Sequence, residues 1–232
     1  MRKYSFDWDY FKYPTVESAY WAGFIAADGC IRNNPSQLSI TLSEKDKSHL
    51  QNFVKCIKYT GPIRYNIIKK DGMNRHAQCN LTICGITQNL AEHLYKIYNL
   101  TPKKSLTLLP PNSLTGYTKL AFIKGLIDGD GTIYRDSHNR LQFSICGTKE
   151  ILDYICEEFN IISPPTLKGN VIPKQRLDRT NNNHYTYKIT GYRAERILKV
   201  LHKIETPELY RKWSNLDTVK LPKYKKYLTK FE

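Results

Sequence analysis

Acidic residues are scarce in this chain of 232 residues: 21 Asp and Glu stand against 36 Lys and Arg, a formal net charge of +15. A deficit of that size points to a polyanionic partner. Long apolar runs are missing too. The stretch 19–27 is far too short to span a bilayer, so no membrane partner is expected. Met1-Arg2-Lys3-Tyr4 leads into acids and aromatics rather than an apolar signal core, which argues against secretion. The six cysteines, Cys30, Cys56, Cys79, Cys84, Cys146 and Cys156, form no CxxC pair and have no histidine at zinc-finger spacing. That excludes the usual structural zinc sites and a disulfide framework. They are expected to be reduced, mostly buried small hydrophobes in an intracellular setting, whether bacterial or phage cytoplasm or an organelle. What is present is ordinary globular composition, 41% hydrophobic and 25% charged, which argues against disorder. The 17 Tyr suit a nucleic-acid partner, since phenol rings pack on sugars and bases.

The chain is written twice. Ala19-Tyr-Trp-Ala-Gly-Phe-Ile-Ala-Ala-Asp-Gly-Cys-Ile31 is echoed by Ala121-Phe-Ile-Lys-Gly-Leu-Ile-Asp-Gly-Asp-Gly-Thr-Ile133, so that Asp28-Gly29 recurs as Asp130-Gly131. Polar–apolar alternation at 37–42 and 140–145 predicts half-buried strands, each followed by a helical pattern, at 44–59 and 149–159. A second alternating strand, at 78–83 and 184–189, leads through Gly85 and Gly191 into helices at 87–98 and 193–203. A further extended piece precedes each, at 62–69 and 166–172. Each half reads helix, two strands, helix, two strands, helix. The expected fold is therefore α+β, with pseudo-twofold tandem αββαββα repeats and one antiparallel sheet per half. The expected boundaries are a first repeat at 1–99, a Pro-, Ser- and Thr-rich linker at 100–115, a second repeat at 116–206 and a basic tail at 207–232.

The outward strand positions are Gln37, Ser39 and Thr41; Gln78, Asn80 and Thr82; Arg140, Gln142 and Ser144; His184, Thr186 and Lys188. A merely solvated sheet face would mix Lys with Glu. These carry amides, hydroxyls and cations without an acid among them, the groups that read base edges in a major groove.

The repeated helix carries the chemistry. Gly23 and Ala27 are four apart, as are Gly125 and Gly129, which lays a smooth stripe on each helix. Glycine inside a helix costs about 0.5–1 kcal/mol relative to alanine, and is useful where another backbone comes close. The two helices are expected to pack on each other through these stripes. Gly29 and Gly131 would then end them in the left-handed conformation. Asp28 and Asp130 would sit at the negative ends of two helix dipoles, a placement that divalent cations between them would relieve.

Trp21-Ala-Gly-Phe-Ile-Ala-Ala-Asp-Gly29 and Ile123-Lys-Gly-Leu-Ile-Asp-Gly-Asp-Gly131 resemble the two motifs of a single-chain LAGLIDADG homing endonuclease, and the likeness runs through the element order of nearly the whole chain. The resemblance implies a saddle of two antiparallel sheets astride the DNA major groove, with the motif helices at the inter-domain interface. It implies Asp28 and Asp130 as metal-binding catalytic acids, with the backbone carbonyls of Ala27 and Gly129 as further ligands. The sixth motif position departs from the pattern in the first copy, Ala26 against Asp128. That residue is chiefly structural in the family, so the departure bears on helix capping more than on catalysis. A basic residue after the last helix of each repeat is expected at Lys104 and Lys212, with Lys103 and Arg211 as alternatives. A polar residue holding water is expected at Glu44 in one half and Thr148 in the other. Arg32, Arg64, Asn66, Lys69, Tyr134 and Lys168 would join the recognition surface.

The activity so implied is hydrolysis of one phosphodiester on each strand of a long, partly palindromic site in double-stranded DNA, leaving short 3′ overhangs. It would use Mg2+, with Mn2+ or Ca2+ able to substitute in binding, and a monomer would supply both halves. An RNA maturase that helps an intron splice, and a non-cleaving DNA-binding regulator on the same scaffold, stay open as alternatives. An intein is not expected, because Met1 is no splicing Cys or Ser and Lys230-Phe231-Glu232 lacks the His-Asn pair.

Overall fold

The computed structural model describes residues 4–33, 36–68, 76–86, 89–165, 178–181 and 183–217. The first motif helix, α1 (Val16–Asp28), begins where Thr15 and Ser18 cap each other. Ser18 N donates to Thr15 Oγ1 at 3.0 Å and Thr15 N to Ser18 Oγ at 2.9 Å, which satisfies amides that a helix start leaves bare. The second, α4 (Gly116–Asp130), begins with the matching pair Thr115 and Thr118. The two helices pack together as the glycine stripes predict. A Cβ on Gly23 would lie 2.0 Å from the carbonyl oxygen of Phe122, and one on Gly125 would lie 2.0 Å from that of Tyr20. Backbone meets backbone, and no larger residue has room.

From α1 the chain runs directly into β1 (Gly29–Asn33), then β2 (Ser36–Ser43), a 3-10 turn at Glu44–Asp46, α2 (Lys47–Cys56), β3 (Arg64–Ile68), β4 (His76–Cys84) and α3 (Leu90–Tyr98). The second half repeats the order with α4, β5 (Thr132–Arg135), β6 (Leu141–Gly147), α5 (Lys149–Ile162), β7 (Asp178–Asn181), β8 (His184–Thr190) and α6 (Gly191–His202). Between the halves lies a 3-10 turn at Lys104–Leu106, and after α6 comes the short helix α7 (Tyr210–Trp213). The sheets are antiparallel, ordered β1-β2-β4-β3 and β5-β6-β8-β7. The expected αββαββα order holds in both. The strands that alternation did not delimit, β1 and β5, are those that leave the motif helices.

Each sheet turns one face to its helices. Leu38, Ile40, Leu81 and Ile83 are buried with Phe53 and Leu94; Phe143, Ile145 and Ile189 are buried with Phe159 and Leu198. Each such side chain contributes roughly 1.5–3 kcal/mol by leaving water. Among the described residues no helix is long and apolar enough to cross a membrane.

Two expectations need correction, and a third falls outside the described residues. Gly29 and Gly131 are extended, at φ −80°, ψ 144° and φ −79°, ψ 154°, not left-handed. The chain passes straight from helix to strand, and glycine is needed for space: a Cβ would fall 2.6 Å from the Ile25 and Ile127 carbonyl oxygens. The strand beside β8 is Asp178–Asn181, whereas the expected 166–172 lies outside the described residues. Finally, only Cys79 and Cys156 are buried; Cys30 and Cys84 are exposed, and Cys56 and Cys146 are half-buried. Cys30, Cys84 and Cys146 share the outward parity of Arg32, Thr82 and Ser144, so the pleat places them on the polar faces.

Candidate active site and nucleic-acid interface

The close packing of α1 on α4 brings their C-terminal ends together. A Cβ on Gly129 would lie 2.2 Å from Ala27 Cβ, so the residues that follow, Asp28 and Asp130, come close enough for the charge of Asp130 to act on Asp28. Both carboxylates stay in touch with water. The protein packed around them still raises both pKa values. For Asp28 the charge of Asp130 adds to that effect and brings its carboxyl to about 6, while Lys212, Lys104 and Arg211 pull the other way. Asp130 is raised by the same crowding, against Lys104, Lys212 and His184.

Two lysines complete the centre, and the alternatives left by the sequence separate. Lys104 and Lys212 are buried, and each caps the helix end of its own repeat. Lys104 Nζ donates to Gly29 O; Lys212 Nζ donates to the carbonyls of Ile127 (3.0 Å), Asp128 (2.5 Å) and Gly129 (3.0 Å). An ammonium there offsets the negative helix end on which the acids sit. Burial depresses both ammonium pKa values, and the acids oppose that. Lys103 is exposed. Arg211 points away, its Nε 2.9 Å from Asp46 Oδ1 and its Nη2 2.9 Å from Oδ2.

Of the two water-holding candidates, Glu44 is exposed at the start of the turn before α2. Thr148 is fully buried as the N-cap of α5, its hydroxyl donating to Leu108 O at 2.6 Å. Beside it, on the Lys104 side, lies a pocket of about 240 Å3 lined by Ala27, Asp130, Cys146 and His184.

Sequence reasoning missed the polar network behind the second motif. Asp128 is fully buried and accepts from Tyr20 Oη (2.6 Å), Trp213 Nε1 (2.6 Å) and Leu209 N (3.0 Å). Since the one Tyr20 hydroxyl proton goes to Asp128, His49 Nε2, 3.1 Å away, must be the donor to Tyr20 Oη. That tautomer leaves Nδ1 as the buried nitrogen with no partner, as found. Burial lowers the His49 pKa to about 4, so the ring is neutral. Lys124, also fully buried, donates to Ile204 O (2.9 Å) and pairs with Glu208 (3.0 Å). Its place in the repeated motif was the only available signal.

The polar sheet faces form as the alternation predicts. In the first sheet the register sets Arg32 beside Gln37, Ser39 beside Thr82, Asn80 between Thr41 and Arg64, and Gln78 beside Asn66. Asn80 Nδ2 donates to Thr41 Oγ1 (2.5 Å) and Thr82 Oγ1 to Asn80 Oδ1 (2.9 Å), so these three side chains are ordered together. Toward its outer end this face borders a cavity of about 550 Å3 lined by Tyr4, Gln37, Tyr59, Arg64 and Cys84. In the second sheet Tyr134 lies beside Gln142, and Ser144 beside Lys188. Thr186 is largely covered, with Cys146 Sγ 3.3 Å from its hydroxyl. Here the acid-free expectation fails. Asp136, from the turn after β5, accepts from Arg140 Nε at 2.9 Å and Gln142 Nε2 at 2.8 Å. Lys69 and Lys168 lie outside the described residues.

Among the described residues no three His, Cys, Asp or Glu side chains gather as a metal-binding group. A cation would rest on two carboxylates and on backbone carbonyls. That donor set is all oxygen and suits a hard divalent ion. The residues fit such an ion.

Residues 15–95, within the first repeat, match the sequence profile of the LAGLIDADG-like domain. The fold is shared with the I-LtrWI LAGLIDADG homing endonuclease, solved bound to target DNA (TM-score 0.50, 13% identity, 90% of this chain and 88% of that one). It is also shared with the meganuclease I-SmaMI bound to uncleavable DNA (TM-score 0.50, 12% identity, 86% of each chain). No curated protein matches the sequence.

Proposed function

We propose that this protein is a site-specific endonuclease that hydrolyses one phosphodiester on each strand of a long, partly palindromic double-stranded DNA site, leaving short 3′ overhangs. The observation that carries the reading is the pair Asp28 and Asp130 at adjoining helix ends, each helix end capped by a buried lysine. Asp28 and Asp130, with the carbonyls of Ala27 and Gly129, would hold Mg2+, with Mn2+ or Ca2+ as binding substitutes. Such an ion, when bound, polarises the phosphoryl oxygen and acidifies its water. Lys104 and Lys212 are fixed positive charges whose orientation the helix-end carbonyls set beforehand, so they favour negative charge building on the phosphate without reorganising. Glu44 is the proposed water-holding residue of the first half. The polar sheet faces read base edges, and because the two differ in residues the preferred site is only partly palindromic. One monomer supplies both halves.

The test is incubation of the purified protein with a DNA library and Mg2+, beside an Asp28→Asn variant. The wild type should cut one long site, and the variant should bind it but cut about a thousandfold more slowly or worse. Binding without cutting by the wild type would make the protein a regulator. Preference for a structured intron RNA would make it a maturase.

A further inference from the structure

The two buried lysines are held by different devices. Lys212 lies in α7, a helix of 4 residues, too short to hold its shape alone. Two buried acids fix it. From the second repeat, Asp128 takes the Trp213 indole and the Leu209 amide. From the first, Asp46, only 7% exposed, takes the Arg211 guanidinium through both carboxylate oxygens. Lys212 sits between these anchors and points at the carbonyls that end α4. On the Lys104 side the same places are filled differently. Thr148, ahead of α5, stands where Asp46 stands ahead of α2, and it holds the linker by one neutral hydrogen bond to Leu108 O. Lys103, in the place of Arg211, has φ +60° and forms no ion pair among the described residues.

We propose that Asp46 is a positioning residue for Lys212: through Arg211 it sets the rotation of α7, and so makes the Lys212 side the more rigid of the two half-sites. A guanidinium–carboxylate fork fixes direction as well as distance, which a lysine in place of Arg211 would not do. The clamp spans the repeats, joining residues 165 apart in sequence, so it also ties the register of the first half to the second centre. Its catalytic consequence rests on the nuclease reading; the positioning does not. Loosening the clamp should slow only the strand that Lys212 serves.

The experiment uses the full chain with Asp46→Asn, Asp46→Glu, and the exchange Asp46→Arg with Arg211→Asp. The first readout needs no DNA: lysines are methylated with formaldehyde, the imine being reduced by added cyanoborohydride, and the modified sites are mapped by peptide mass spectrometry. Lys212 should react about tenfold faster in Asp46→Asn, the scale of losing one partner of a partly buried charge pair. Lys104 should not change, and Asp46→Glu and the exchange should restore protection. The second readout is strand-resolved cleavage of a labelled duplex, where one strand should slow about tenfold and singly nicked DNA should accumulate. Unchanged labelling of Lys212, equal gains at both lysines, or equal slowing of both strands overturns the proposal. Should Asp46→Asn not fold, Arg211→Lys at a half-exposed position keeps the charge, removes the fork and must give the same pattern. Selective labelling by a protein that cuts no DNA keeps the clamp and removes the nuclease reading.

Discussion

The second motif helix buries Lys124 and Asp128 where the first buries Ala22 and Ala26. On the faces where the helices touch each other they are alike: Gly23 against the Phe122 backbone, Gly125 against that of Tyr20. The shared interface holds both copies to one solution, since any side chain there strikes the partner's backbone. The faces turned to their own halves carry no such constraint. The second has become ionic because the segment after α6 supplies the Ile204 carbonyl, Glu208, the Leu209 amide and Trp213 as partners. A buried charge persists only where its hydrogen bonds are met.

The sharpest way to break this comparison is Asp128→Ala, which imitates the first half. It leaves the Trp213 indole, the Tyr20 hydroxyl and the Leu209 amide without their acceptor, and should cost about 3–5 kcal/mol in urea unfolding. The reverse change, Ala26→Asp, buries a carboxylate on a pocket wall shared with Leu108 and Leu126 and should also destabilise. If Asp128→Ala is nearly neutral, the network is ornament and the halves differ only in name. Next comes the part they share. Gly125→Ala and Gly23→Ala should each cost about 2–3 kcal/mol, because the atoms met are backbone and cannot rotate away. Unequal costs would show the interface to be less symmetric than its geometry.

What could be read in the sequence follows the same division. The glycine stripes and the outward strand residues rest on periods of two or four, which are local, and the repeat with its two acids rests on one segment written twice. Lys124 and Asp46 were illegible because their partners lie 80 and 165 residues away. Which of Lys212 and Arg211 meets the carbonyls that end α4 depended on Asp46 in the same way. Asp136 escaped because it sits in a turn, outside the alternation, yet reaches back onto Gln142. The cysteines were misjudged on residue type, although the parity of Cys30, Cys84 and Cys146 with their polar neighbours was available.

The smallest expected effect concerns the acids themselves. Asp28 has a pKa of about 6 against an ordinary 3.8, from the protein around it and from Asp130. The folded chain therefore binds this proton more tightly than the unfolded chain does. Stability from this group is greatest below pH 4, falls as pH rises through the window from 4 to 6, and stays lower above it. An asparagine cannot ionise, so Asp28→Asn should match the wild type below pH 4 and exceed it at pH 7. The gain should be about 1 kcal/mol or less, since the carboxylate faces water that screens it. Thermal melts across that range decide the matter. If instead Asp28→Asn is no more stable than the wild type at pH 7, neither the surrounding protein nor Asp130 disfavours the Asp28 carboxylate in the fold.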